Sequence, residues 1–211
     1  MNVLDSIKNE IIKIMDNDPA HDFEHVMRVY NNAQKIAKKE KANQKLVLSA
    51  TLLHDIVSYS KSSKRSKFSS IDSAKKSKTI LKKYNFSKDE IIIISNAIAE
   101  HSFAQNKVPQ TLEGQILQDA DRLDALGAIG IARVFATSGS LNRPFYNIDD
   151  PFCNKRNPDD NLWAIDHFFN KLLKLESMMN TESGKIEAKK RTKVLQTFLK
   201  QLKNEVQPYS T

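Results

Sequence analysis

Glycine is scarce and cysteine almost absent: the 211 residues include five glycines and one cysteine, Cys153. A lone cysteine excludes an internal disulfide and any cysteine-rich zinc module. So few glycines, with hardly any alternating apolar pattern, argue against a sheet-built protein. No apolar run approaches the ~20 residues that a membrane helix needs. From Met1 to Met15 charge and apolar residues alternate, unlike a secretory signal, so a reducing, cytoplasmic location is expected. Acid is the minority charge, with 33 basic against 25 acidic residues, a net charge of +8 and a pI near 9.4. Such a field draws nucleic acid and nucleotide phosphates alike, and a merely solvated basic face is the plainer reading of many of the lysines. With 40% hydrophobic and 27% charged residues the composition is that of an ordinary globular chain, expected to form one domain over 1–211.

What is present is helical periodicity. Residues 3–15 predict a short amphipathic helix, ended by Asn17, Asp18 and Pro19. Over 22–40, Val26, Val29, Tyr30, Ala33, Ile36 and Ala37 share one face. Asn43 is placed to cap a helix reaching about Val57, apolar nearly all round and so expected at the centre. After a polar break from Ser58 to Ser70 comes a helix near 71–84. Ser87 with Glu90 then reads as a capping box, which assigns the four isoleucines from Ile91 to a helix in spite of their strand propensity. A second apolar helical stretch starts near Pro109 and Thr111 and is interrupted by Gly127 and Gly130. Residues 139–161 form a long connection with Pro144, Pro151 and Pro158, of the length usual for lids, binding loops or disorder. Helices over 161–180 and 184–206 are expected to close the chain, with Trp163, Phe168 and Phe169 in the core.

The chemistry is flagged by acid and imidazole inside segments that otherwise look buried. His54 and Asp55 interrupt the central helix, and Asp121 and Asp124 the later one. An ionised carboxylate buried alone is costly, so it must be neutralised, paired or bound to a cation. Arg122 can pair with one of these acids but not with all of them. His21 and His25, four residues apart, share a helical strip continued by Arg28 and Asn32. Two histidines and two aspartates from three helices make a ligand set for a divalent ion with open positions. Each piece alone is weak: a single His25 reads first as a hydrogen-bonded structural histidine, and Asp121 with Arg122 as a buried ion pair.

The order His25-x-x-Arg28-Val29, then His54-Asp55, then Asp121 resembles the HD-domain superfamily of metal-dependent phosphohydrolases. The segments HDFEHVMRVY, LLHDI, AEHSF and QDADRLDALGAIGIAR look like the branch that contains YpgQ and YedJ, over roughly Pro19 to Leu202. The resemblance implies an all-α fold, a single HD-type helical bundle with its core at about 19–138 and C-terminal helices 161–206 packed on it. It also implies metal bound by His25, His54, Asp55 and Asp121, and hydrolysis of a phosphate ester or anhydride, in a nucleotide. One departure is informative: the nucleoside-monophosphatase branch has a glutamate three residues after the HD aspartate, where this chain has Ser58.

A divalent ion held this way polarises a phosphoryl oxygen and lowers the pKa of water. Manganese is the first expectation, with magnesium, cobalt, nickel, iron and zinc open. Asp55 or Asp121 would fix the ion's geometry, Arg28 and Asp124 would orient groups around the ligands, and His101 would be a general acid, a further ligand or a polar helix end. Phosphates need positive charge, for which Arg28, Arg122 and Arg133 are candidates, together with Lys61, Lys64, Arg65 and Lys67 after the HD pair and Arg143, Lys155 and Arg156 on the long loop. The 61–67 run reads first as a solvated loop. The expected reaction is cleavage of a nucleoside triphosphate to monophosphate and pyrophosphate. A monophosphatase of the same fold is the alternative, and a basic nucleic-acid-binding module is a second one that leaves the buried His/Asp set unexplained. The expected partner is a phosphorylated small molecule, with no membrane, no nucleic acid and a homodimer left open.

Overall fold

The computed structural model describes residues 2–14, 23–59 and 63–206. Among them the chain is helical and has no strand. It falls into two compact units, one of Met1–Asp121 with Asn180–Gly184 and the other of Arg122–Met179 with Lys185–Thr211.

The first unit begins with α1 (Val3–Ile14), α2 (Phe23–Lys39), α3 (Gln44–Leu53), α4 (Ser69–Lys83) and α5 (Lys88–Glu100). The apolar face of α1 reduces to Ile7 and Ile11, four residues apart and both fully buried. On α2, Val26, Val29, Ala33, Ile36 and Ala37 are buried at the expected spacing. Helix α3 is buried from Leu46 through Leu53, and packs against α1, α2, α4 and α5 as its all-round apolar sequence requires. Both caps form: Asn43 accepts from the Leu46 amide, and Ser87 and Glu90 close a reciprocal capping box at α5. Of the four isoleucines, Ile91 and Ile94 face inward while Ile92 is exposed.

Helix α3 stops earlier than the sequence predicts, at Leu53 rather than near Val57. The His54 Nδ1–H donates to the Thr51 carbonyl over 2.7 Å, taking an acceptor that the next helical turn would have used. His54 is therefore the C-cap, and Asp55 starts the turn that follows.

Helix α6 (Leu112–Asp124) supplies Asp121, and Thr111 caps it by accepting from the Gly114 amide. Asn32 Nδ2 of α2 donates to the Ala120 carbonyl of α6, so the helix bearing His25 and the helix bearing Asp121 are joined directly.

The second unit contains α7 (Gly127–Ser140), α8 (Asp166–Asn170) and most of α9 (Glu182–Val206). Gly127 has φ of +70° at the start of α7, and a Cβ on Gly130 would lie 2.2 Å from the Ala125 carbonyl oxygen. Both positions thus require glycine, Gly127 for its backbone conformation and Gly130 for the close approach of Ala125. Phe135, Phe145, Phe168 and Phe198 form an aromatic cluster with ring centroids 5.0–6.4 Å apart.

Two expectations for this unit are corrected. The segment 161–180 is no continuous helix: α8 ends where Lys171 adopts φ −131°, and short 3-10 turns follow at Leu172–Lys174 and Glu176–Met178. Leu172, Leu175 and Met179 are buried all the same, because spacings of three and four satisfy a chain of tight turns as well as a helix. Trp163 is half-buried beneath the Arg156 guanidinium, 4.4 Å from the ring centroid, while Phe168 alone of the expected trio is fully buried. The long connection before it is internally bonded. Buried Asp166 receives both terminal nitrogens of Arg156 and the Asp159 amide, and Asp150 receives the amides of Asn154 and Lys155.

Candidate metal centre

Three imidazoles and two carboxylates meet in the first unit. His25 comes from α2, His54 and Asp55 from the end of α3, His101 from the end of α5 and Asp121 from α6. The histidines are 0–4% exposed. The Asp55 and Asp121 side chains retain 12% and 30% exposure, so the carboxylates open toward solvent while the imidazoles form the buried wall. The His25 and His54 rings lie 5.5 Å apart, and His54 meets His101 edge-on at 5.0 Å.

His54 and His101 are built alike. Each is the C-cap of its helix, and each Nδ1 lies 2.7 Å from the carbonyl three residues back, Thr51 and Ile98 respectively. A carbonyl only accepts, so Nδ1 carries a hydrogen and each ring turns its Nε2 toward the cluster. The His101 imidazole is held below its ordinary pKa, first by burial and then by His54, with Asp121 and Asp55 opposing. For Asp121, burial pushes the carboxyl up, but His25, His101 and His54 together outweigh it and hold the group below its ordinary value.

The separations identify the kind of site. His25 Nε2 lies 3.5 Å from Asp121 Oδ1 and 3.7 Å from Asp55 Oδ2; His54 Nε2 lies 3.7 Å from Asp55 Oδ2, and His101 Nε2 3.9 Å from Asp55 Oδ1. These contacts are too long for N–H···O hydrogen bonds. Two atoms sharing one divalent ion at ~2.1 Å are expected roughly 3–4.2 Å apart, which is the range seen. His54 Nε2 is fully buried and has no hydrogen-bond partner among the described residues. A buried lone pair aimed at carboxylates is unfavourable unless a cation lies between them. Two ligand-competent sets result, His25–His54–Asp121 and His54–Asp55–His101, each with its donor atoms within 4.8 Å of one another. The donor chemistry and spacing fit a divalent ion.

A family model, the HD domain, matches residues 22–126. The protein YpgQ of Bacillus subtilis (strain 168) is 32% identical over 198 residues, covering 92% of this chain and 88% of the relative. The chain belongs to the HD-domain family. Solved HD-superfamily relatives agree with the helical fold. One is Bacillus subtilis YpgQ in complex with ADP, with a TM-score of 0.73 at 30% identity, covering 96% of this chain and 94% of that one. Another is an HD-superfamily hydrolase from Bacillus thuringiensis, with a TM-score of 0.75 at 31% identity, covering 96% and 95%. HD-family membership makes the chain a metal-dependent hydrolase by class.

The remaining candidates fare differently. His21 and Lys61 lie outside the described residues. Arg28 is half-buried, one turn beyond His25 on α2. Lys64 and Arg65 are exposed, and Arg65 is committed locally, 3.4 Å from Asp72 and stacked over Tyr59. In the second unit, Asp124 receives Arg133 in an ion pair, and Arg122 donates to the Met178 carbonyl. Cys153 sits in the left-handed region with its thiol pushed up to about 11, first by burial and then by Asp166, so it stays protonated. No helix among the described residues is long and apolar enough to cross a membrane.

Sequence reasoning missed Gln118 and Asp119. Both are fully buried, one turn or less before Asp121, and both are heavily hydrogen-bonded. The available signal was a second carboxylate two positions from Asp121 in an apolar stretch.

Proposed function

We propose that the protein hydrolyses a phosphoanhydride bond of a nucleotide, releasing pyrophosphate from a nucleoside triphosphate, with a divalent ion held by His25, His54, Asp55 and Asp121. The carrying observation is the convergence of imidazole Nε2 atoms and carboxylate oxygens at 3.5–3.9 Å, too long for hydrogen bonds and suited to a shared cation. When bound, such an ion supplies Lewis acidity toward a phosphoryl oxygen and acidifies water. His101 handles the proton: kept neutral, its Nε2 accepts one from the attacking water and returns it to the leaving phosphate oxygen. With Nδ1–H donated to the Ile98 carbonyl, Nε2 is the atom that exchanges the proton and acts as general acid at the leaving oxygen. Arg28, half-buried one turn from His25 on α2, serves the phosphates.

Two features support anhydride cleavage over monoester cleavage. Ser58, exposed three residues after Asp55, offers a hydroxyl where the monophosphatase branch relies on a carboxylate. The relative YpgQ forms a complex with ADP, a molecule containing a phosphoanhydride. The single-cysteine composition suits a cytoplasmic setting.

The test is product analysis with nucleoside triphosphates in the presence of Mn²⁺. Pyrophosphate and monophosphate are expected. Orthophosphate released from monophosphates, with triphosphates untouched, would replace the reading by a monophosphatase. No turnover with any phosphate compound or metal would return the nucleic-acid-binding alternative. His54→Ala is expected to abolish turnover, and His101→Ala to slow it by about 10²-fold or more while metal is retained.

A further inference from the structure

Asp119 is fully buried, yet it faces away from the cluster that Asp121 joins. Two residues along a helix turn the side chain through about 200°, so the two carboxylates project from nearly opposite sides of α6. On its side Asp119 receives four hydrogen bonds: the Asn180 amide and side-chain Nδ2 donate to Oδ1 at 2.9 Å each, and the Thr181 amide and hydroxyl donate to Oδ2 at 2.8 and 2.7 Å. The same Asn180 Nδ2 reaches Gln118 Oε1 at 3.0 Å. Gln118 Nε2 in turn donates toward the carbonyls of His101 and Lys107, at 3.2 and 2.9 Å, holding the chain where α5 ends. The fit is close, since a Cβ on Gly184 would lie 2.4 Å from Asp119 Oδ2 and 2.8 Å from Thr181 Oγ1.

We infer that Gln118, Asp119 and Asn180 form a clamp of positioning residues that sets the rotation of α6, and with it the reach of Asp121 and His101 into the candidate metal centre. The clamp rests on the metal reading above and deepens it. A carboxylate stands several ångströms from its helix axis, so a rotation of about 10° moves it by roughly 1 Å. Metal–ligand distances in a formed site lie within about 0.2 Å of their ideal values. An isolated Asp121 on a helix free to roll would not meet that tolerance. The clamp removes the freedom by fixing the far side of α6 through acceptor-only oxygens that leave Asp119 no other orientation. In Asp119→Asn the new NH₂ would confront N–H donors, and in Asn180→Ala the bridge between Gln118 and Asp119 is lost at a half-buried position, with little cost in packing.

The experiment measures Mn²⁺ affinity by competition with a chelating dye, alongside the melting temperature of the metal-free protein, for wild type, Asp119→Asn, Asn180→Ala, Gly184→Ala and Asp121→Ala. Ile11→Val in α1 serves as a control that loosens the same unit without touching the clamp. Expected is a loss of Mn²⁺ affinity of about 10-fold or more in Asp119→Asn and several-fold in Asn180→Ala, at a temperature where each is fully folded, with Ile11→Val unchanged in affinity. If Asp119→Asn does not fold, Asn180→Ala and Gly184→Ala decide the matter. Lowered melting temperatures with affinities within twofold of wild type would reduce the clamp to a purely structural network and overturn the inference. Equal Mn²⁺ binding by wild type and Asp121→Ala would instead overturn the metal centre itself, a distinct result.

Discussion

Asp119 and Asp121 are one intervening residue apart on the same helix, and their surroundings differ in every respect that matters. Asp119 is fully buried and receives four donors at 2.7–2.9 Å. Asp121 keeps 30% of its side chain exposed and meets the His25 imidazole at 3.5 Å. The polar network of the long loop belongs with Asp119: Asp166 is fully buried and receives Arg156 through both terminal nitrogens. A carboxylate whose lone pairs are filled by N–H and O–H groups is structural, and its geometry is closed. Carboxylates and imidazoles that converge at distances no hydrogen bond spans describe a site built for a cation. Burial alone therefore does not mark function; the way a buried charge is satisfied does.

The contrast is broken most severely by removing a donor from the open cluster. Asp121→Ala and His54→Ala are each expected to lose bound metal, and His54→Ala to lose turnover, by elemental analysis and activity. Metal content equal to wild type would erase the distinction between the two aspartates. Next in size is the closed network. Arg156→Ala leaves Asp166 buried without its cation, and the cost is expected at about 3 kcal/mol. In a chain of this length that is a fall in Tm of roughly 6–12 °C, with metal content unchanged.

Removing metal from the wild type sharpens the comparison from the other side. Metal at about 100 times its Kd adds about 2.7 kcal/mol to the folded state. Chelation should then lower Tm by roughly 5–10 °C, and an unchanged melting curve after verified metal removal would count against the open cluster. The smallest effect concerns acid. The amides of Lys155 and Asn154 hold the Asp150 carboxyl below its ordinary value. Because the folded pKa is depressed, its contribution is complete above the unfolded value of about 3.9 and is lost as pH falls through the lower, folded one. Fluorescence of Trp163, the sole tryptophan and stacked on Arg156, should report loosening of the loop below about pH 4. A signal flat to lower pH would show the loop to be held without Asp150.

Much of this was legible in the residues. Helices α1, α2 and α9 follow from apolar spacing, and α5 from the Ser87–Glu90 box, which overrode four consecutive isoleucines. His25, His54, Asp55 and Asp121 stood out because acid and imidazole in apolar helices require a reason. The segment 161–180 misled, since its apolar spacing fits 3-10 turns as well as a helix, and nothing local announces the break at Lys171. Arg65 reads first as part of a solvated loop, with phosphate binding as the alternative, and its approach to Asp72 and Tyr59 a few residues away is set by side-chain placement that charge alone does not announce.

The sequence by itself determined the helical class, most helix boundaries and which acid and imidazole side chains are candidate ligands, because periodicity, caps and the cost of buried charge act over a few residues. Only the tertiary structure decided which acids are closed and which are open. Asp119 finds its donors 61 and 62 residues away at Asn180 and Thr181, and Asp121 its imidazole 96 residues back at His25. Tertiary structure also set the tautomers. His54 and His101 each turn Nε2 toward the cluster because helix ends left the Thr51 and Ile98 carbonyls for Nδ1–H to occupy, and packing brought those two helix ends together.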